Sequence, residues 1–148
     1  MHAGRLHHNA KLGDYQSYRS MSIITLTTDF GGGPYVAAMK GVIYSIAPEA
    51  QVVDITHSVR PQDIRGGAMV LEQATPWFPP GSIHVAVIDP GVGSERRILY
   101  AEIADQQYVA PDNGLLSRLA ARRKPSRMIA VEEPHFWLPQ VSATFHGR

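Results

Sequence analysis

Ser22-Ile23-Ile24-Thr25-Leu26-Thr27-Thr28, followed at once by Asp29-Phe30-Gly31-Gly32-Gly33-Pro34, decides the fold class. The first seven residues are mostly apolar or β-branched, which suits a buried strand. Three glycines and a proline then break the chain into a turn. From Tyr35 the period changes: Val36, Met39, Ile43 and Ile46 recur at helical spacing, and Pro48 stops the helix. Residues 51–55 (QVVDI) read as a second strand. Asp63 can cap a helix running to about Ala74, with Pro76 beyond it. Residues 82–88 (SIHVAVI) form a third strand, ending at Asp89-Pro90-Gly91-Val92-Gly93. This alternation predicts an α/β fold, a mostly parallel sheet with helices on both faces. Further on, residues 98–103 and 107–110 can pair as a hairpin through Ala104-Asp105-Gln106. Residues 115–121 suit a short helix and 127–131 a last strand, while the strand order is not given by the pattern.

The chain has 148 residues, enough for one domain of ordinary size. Hydrophobic residues make up 44% and charged residues 18%, so a buried core is affordable. With 14 basic and 13 acidic side chains the net charge is +1, which argues against a nucleic-acid surface. The absence of cysteine excludes disulfides, thiolate metal sites and a cysteine nucleophile. It also fits a reducing compartment, and a cytoplasmic location is expected. No apolar run approaches the roughly 18 residues that span a bilayer, so no membrane partner is expected. Residues 1–20 are polar and lack the apolar core of a signal peptide; they read as a disordered leader before Met21. At the other end, Thr144-Phe145-His146-Gly147-Arg148 reads as a chain that stops inside a motif.

Open parallel sheets bind ligands at the carboxyl ends of their strands. Asp29 follows the first strand, Thr56-His57-Ser58 the second and Asp89 the third. Two aspartates at one edge, each beside a glycine-rich turn, point to a ligand site. Each also has a plainer reading. Asp29 can simply accept N–H bonds from the glycine turn, and Asp89 before Pro90 can simply initiate a turn. His57 reads as structural, a neighbour in a hydroxyl-capped turn. His84, alternating with Ile83 and Val85, reads as a packed or edge histidine. Arg96 and Arg97, taken alone, read as solvated charge. DPGVGSER lacks the Gly-Lys-Ser/Thr of a P-loop, and TDFGGG lacks dinucleotide spacing. Ser94 has no nucleophile elbow around it. A metal held by Asp29, Asp89 and His146 is chemically conceivable, yet no paired-histidine spacing supports it, so neither metal nor cofactor is expected.

Seven segments occur in one order: Thr27-Thr28-Asp29-Phe30-Gly31, Ala38-Met39-Lys40-Gly41, Asp54-Ile55-Thr56-His57, Pro61-Gln62-Asp63-Ile64, Val87-Ile88-Asp89-Pro90-Gly91-Val92-Gly93, Pro111-Asp112-Asn113-Gly114-Leu115-Leu116 and Thr144-Phe145-His146-Gly147-Arg148. Together they resemble the S-adenosyl-L-methionine hydroxide adenosyltransferase family, related to the bacterial fluorinase and chlorinase. The resemblance implies that residues 21–148 are an N-terminal α/β domain, with a C-terminal β-barrel domain absent from this chain. It further implies a homotrimer that binds its small-molecule substrate between subunits. By the same resemblance Asp29 corresponds to the residue that holds the ribose hydroxyls. Asp89, Arg96 and His146 correspond to the set that handles the attacking water, and Gln62 and Phe145 are expected beside the substrate.

The implied reaction splits S-adenosyl-L-methionine into adenosine and L-methionine by water attack at C5′. Methionine leaves as a neutral thioether, so no general acid is required. Water, with a pKa of about 15.7, is the reluctant partner. A guanidinium can stabilise developing hydroxide while a carboxylate and an imidazole orient it and take its proton. Two alternatives stand beside hydrolysis: a non-catalytic adenosine-binding fragment and a halogenase. The halogenases carry a serine one residue beyond His146 and a tyrosine at Asp89, where this chain has Gly147 and Asp89. They also carry a long insertion that this chain lacks between the DPGVG and PDNG segments. One departure from the family concerns the first loop, Gly31-Gly32-Gly33-Pro34-Tyr35, which is one residue short and lacks an aspartate common there.

Overall fold

A computed structural model describes residues 21–138. The leader expected at 1–20, and the site candidates Phe145 and His146, lie outside the described residues. The elements run β1 Ile23–Thr28, α1 Tyr35–Ile46, β2 Gln51–Thr56, α2 Ile64–Ala74, β3 Ile83–Val87, β4 Ile98–Ile103, β5 Gln106–Pro111, α3 Ser117–Arg122 and β6 Arg127–Ala130. Each lies within about two residues of its expected bounds. As expected, Asp63 caps α2: its side chain accepts from Gly66 N at 2.8 Å.

The six strands lie in the order β2-β1-β3-β5-β4-β6. β1 pairs in parallel with both β2 and β3, and β3 in parallel with β5. β4 runs antiparallel to β5 and to β6, so it alone opposes the common direction. From β1 the chain crosses one way to β2, then back over β1 to β3. Two right-handed crossovers in opposite directions put α1 and α2 on opposite faces. Packing agrees with that. Met39 and Ile43 of α1 meet Leu26, Val52, Val85 and Val87 on one face. On the other, Leu71 of α2 and Leu119 of α3 meet Ala86, Ile88, Ala101, Ile103 and Leu115. Alternate residues of β3 serve the two faces, as a pleated strand requires. Gly67 lets α2 approach closely: a Cβ there would stand 2.8 Å from Leu115 Cδ2 and 3.0 Å from Ile88 Cδ1. Glu72, buried on α2, accepts from Arg118 and Arg122 at 2.5 Å each and ties α2 to α3.

The hairpin differs from expectation in one respect. Its turn is Ala104-Asp105 alone, with φ of 52° and 62°, the geometry of a two-residue hairpin turn. Gln106 belongs to β5, opposite Ile103, rather than to the loop. The reason lies in the core. The Gln106 side chain is buried, donates from Nε2 to Phe78 O at 2.9 Å, and presents Oε1 to His84 Nε2.

His84 is accordingly a packed histidine, 1% exposed, at the amino end of β3. Its Nδ1 lies 2.7 Å from Thr25 Oγ1, and its ring stacks on Tyr108 at 4.9 Å. Because Gln106 Oε1 can only accept, His84 Nε2 carries the proton and Nδ1 accepts from the Thr25 hydroxyl. Burial pushes this imidazole below its ordinary value, against a smaller opposing pull from Gln106. A histidine held neutral in the fold is protonated more readily when unfolded. Stability is therefore lost as pH falls below about 6.5, the unfolded value. The unfolding temperature should drop between pH 7 and pH 5 more steeply in the native protein than in His84→Gln. Equal slopes would show that His84 is not the responsible group.

Candidate active site

The connections from neighbouring strands diverge at the carboxyl ends of β1 and β3, the edge where open sheets of this kind take ligands. In the parallel register Thr28 stands opposite Val87. Asp29, one residue past β1, and Asp89, two past β3, therefore emerge at the same edge.

Asp89 is gripped by Arg96. Nε donates to Oδ1 at 2.9 Å and to Oδ2 at 2.7 Å, and Nη2 also donates to Oδ2. The side chains are 6% and 13% exposed, so this is a part-buried, two-pronged pair and not the solvated charge that Arg96 suggested in isolation. Such a pair fixes the plane of both groups. The loop between them makes the grip possible. Val92 N donates to Asp89 O at 3.2 Å, and Ser94 N and Oγ both donate to Gly91 O, at 3.0 and 2.5 Å. These turns reverse the chain within seven residues. From outside the loop, Asn113 Nδ2 donates to Ile88 O at 2.9 Å and steadies the residue before Asp89. Arg97, by contrast, faces out and pairs with Asp112.

Asp29 is held differently. Its Oδ2 accepts from the backbone N–H of Gln62 at 2.7 Å, not from the glycine turn. Gln62 takes a left-handed conformation, φ 63°, and the loop ahead of α2 thereby points its N–H at β1. Gln62, which the resemblance sets beside the substrate, meets Asp29 through its main chain.

A line of polar groups that no sequence reasoning had joined runs behind Asp29. Lys40 Nζ of α1 donates to Asp54 Oδ2 at 2.6 Å. Asp54 Oδ1 lies 2.9 Å from His57 Nε2, and His57 Nδ1 lies 2.8 Å from Thr28 Oγ1. Burial alone would raise the Asp54 carboxyl, but Lys40 and His57 outweigh it and hold the group below its ordinary value. The structural expectation for His57 holds in part, since Ser58 N closes a hydroxyl turn on Thr56 Oγ1 at 3.1 Å. Lys40, Asp54 and His57 did stand inside recognisable segments, but spacing alone could not show that they touch. Among the described residues no cluster of three or more His, Asp or Glu side chains is arranged to hold a metal ion, and no helix is long and apolar enough to cross a membrane.

Fold and site together define an open α/β domain with two acids at one sheet edge, Asp29 met by a main-chain N–H and Asp89 locked to an arginine. Residues 24–148 match the family model of the SAM hydroxide adenosyltransferase N-terminal domain, and the chain belongs to that family. It is 46% identical over 143 residues to the (R)-S-adenosyl-L-methionine hydrolase of Methanocaldococcus jannaschii, covering 93% of this chain and 53% of that protein. The protein of the same name from Salinispora tropica is 46% identical over 127 residues, 84% of this chain and 48% of the relative. The crystal structure of an uncharacterized conserved protein from Thermotoga maritima superposes with a TM-score of 0.82 at 38% identity, over 84% of this chain and 50% of that one. Fluorinases are more distant, at 24–28% identity. The chain thus spans about half the length of the curated relatives it matches.

The Gln62 geometry is testable by itself. Gln62→Gly keeps the N–H that Asp29 needs and removes the left-handed penalty, whereas Gln62→Val aggravates it. The valine variant should be less stable than the glycine variant by about 1–2 kcal/mol in urea unfolding. Indistinguishable midpoints would mean that this backbone carries no strain.

Proposed function

We propose that the protein hydrolyses S-adenosyl-L-methionine to adenosine and L-methionine. The observation that carries this reading is the Asp89–Arg96 pair, set at the same sheet edge as Asp29. In this reading Asp29 accepts hydrogen bonds from the ribose hydroxyls, with Gln62 and Phe145 beside the substrate. Asp89, Arg96 and His146 manage the water. A lone pair of the water oxygen forms the new bond at C5′, the C5′–S bond breaks, and its electrons stay on sulfur as the neutral thioether of methionine. The proton lost by water passes to Asp89 or His146 and on to solvent.

The Asp89–Arg96 geometry suits that task. The guanidinium has five N–H donors, and Nη1 contributes two beyond those on the atoms contacting Asp89. They can stabilise the growing negative charge on oxygen, while Asp89 keeps Arg96 from turning away. Charge is annihilated as hydroxide meets sulfonium, so a crevice poor in water favours the step. The higher similarity to hydrolases than to fluorinases, together with Asp89 and Gly147, favours water over halide as nucleophile. The (R) prefix in the relatives' name extends the proposal to the configuration at sulfur. We further propose that the protein acts in the cytoplasm as a homotrimer, without metal or cofactor and without nucleic-acid or membrane partners. The trimer rests on the family resemblance.

The full-length protein, given either sulfur epimer of the substrate, should release adenosine and methionine in equal amounts from one of them. Unchanged substrate in both cases would refute the activity. Asp89→Ala and Arg96→Ala should each lower kcat on the order of a hundredfold or more. Rates near wild type in both variants would remove the pair from the mechanism.

A further inference from the structure

We propose that His57 is a positioning residue that sets the ligand-binding geometry of Asp29; this rests on the reading of Asp29 as the ribose-holding acid. Three contacts carry the inference. The His57 imidazole reaches Thr28, the residue immediately before Asp29. The His57 carbonyl accepts from Gly31 N, two residues after Asp29, at 2.8 Å. One residue thus clamps the Asp29 turn from both sides. Thr28 Oγ1 completes the clamp by accepting from Phe30 N at 3.2 Å.

Behind the clamp, His57 Nε2 lies 2.9 Å from Asp54 Oδ1, an ion-pair distance without hydrogen-bond geometry, and Asp54 is paired in turn with Lys40. Thr28 Oγ1 shares a hydrogen bond with His57 Nδ1 at 2.8 Å and accepts another from Phe30 N–H. Lys40, Asp54, His57, Thr28 and Phe30 thus stand in one line from the surface of α1 to the loop that presents Asp29. Across Gly31, Gly32 and Gly33 the rings of Phe30 and Tyr35 meet edge to face at 5.8 Å, so the clamp acts on the β1 side of a loop whose other side is closed by that contact. Removing the clamp should spread Asp29 over several orientations and weaken ligand binding, while leaving the Asp89–Arg96 pair in the loop after β3 untouched.

Two pairs of variants separate positioning from bulk. His57→Gln can still reach Asp54 but loses the polar atom facing Thr28, whereas His57→Asn places an amide group near the former Nδ1. Thr28→Val removes the hydroxyl and Thr28→Ser keeps it. The full-length variants would be titrated with adenosine and assayed with S-adenosyl-L-methionine, after thermal unfolding confirms that each folds. His57→Gln and Thr28→Val should weaken adenosine binding and raise KM by about tenfold, with kcat changed by less than about threefold. His57→Asn and Thr28→Ser should recover most of that loss. Unchanged adenosine affinity in His57→Gln and Thr28→Val would overturn the proposal. So would equal losses within each pair, or a fall in kcat with KM constant. If His57→Gln does not fold, the Thr28 pair decides alone. Wild-type turnover reports separately on the activity: His57-dependent adenosine binding without turnover would support the clamp and refute hydrolysis.

Discussion

Everything at the crevice depends on the parallel pairing of β1 with β3. That register sets Thr28 against Val87 and so delivers Asp29 and Asp89 to one edge from chain positions sixty residues apart. Parallel strands in the middle of a sheet need cover on both faces, because neither face can be left to water. α1 and α2 provide it from opposite sides, and the reversal of crossover direction that places them there also opens the gap between the two strand ends. Burying the strands and bringing the two acids to one edge are consequences of the same topology.

The two acids at that edge are held on different physical terms. Asp89 is fixed by charge: a part-buried arginine seven residues away takes both of its oxygens, and the short glycine-bearing loop between them exists to bring the guanidinium round. Asp29 is fixed by dipoles. A main-chain N–H from the loop before α2 meets its carboxylate, and a line of neutral and charged groups anchored on α1 sets the backbone on either side of it. Among the described residues the first acid is ion-paired and the second is met by a main-chain donor. At the opposite end of the sheet His84, Thr25, Gln106 and Tyr108 form a third polar assembly, satisfied internally and remote from the crevice.

Several features were legible in the chain because they depend on neighbours in sequence. The apolar β-branched run before Asp29, the helical spacing after Tyr35, the Asp63 cap and the alternation of β3 all arise from local periodicity, and each element formed close to its expected bounds. The hairpin turn is one residue shorter than local pattern suggests, because Gln106 belongs to β5. Ala104-Asp105 lacks the glycine or asparagine that normally marks left-handed turn positions, and Gln106 is drawn into β5 by partners on β3 and in the loop at Phe78. Arg96 looked like surface charge because nothing in its own segment announces that the loop will fold back on Asp89. The Lys40–Asp54–His57–Thr28 line was invisible for a stronger reason: its members come from α1, β2, the turn after β2 and β1, and only the packing of those elements makes them adjacent.

The sequence by itself therefore determined the layered α/β class, the ordered motifs that place the chain in its family, and the two acids at strand ends, because periodicity and motif order are properties of a linear string. Tertiary structure alone decided the strand order, the arginine's grip on Asp89, the backbone donor that Gln62 offers to Asp29, and the reach of His57 to both sides of that acid. Those are distances of about 3 Å between groups up to 33 residues apart in the chain, and a hydrogen bond over such a separation exists only once the burial of apolar faces has fixed which strands and helices lie together.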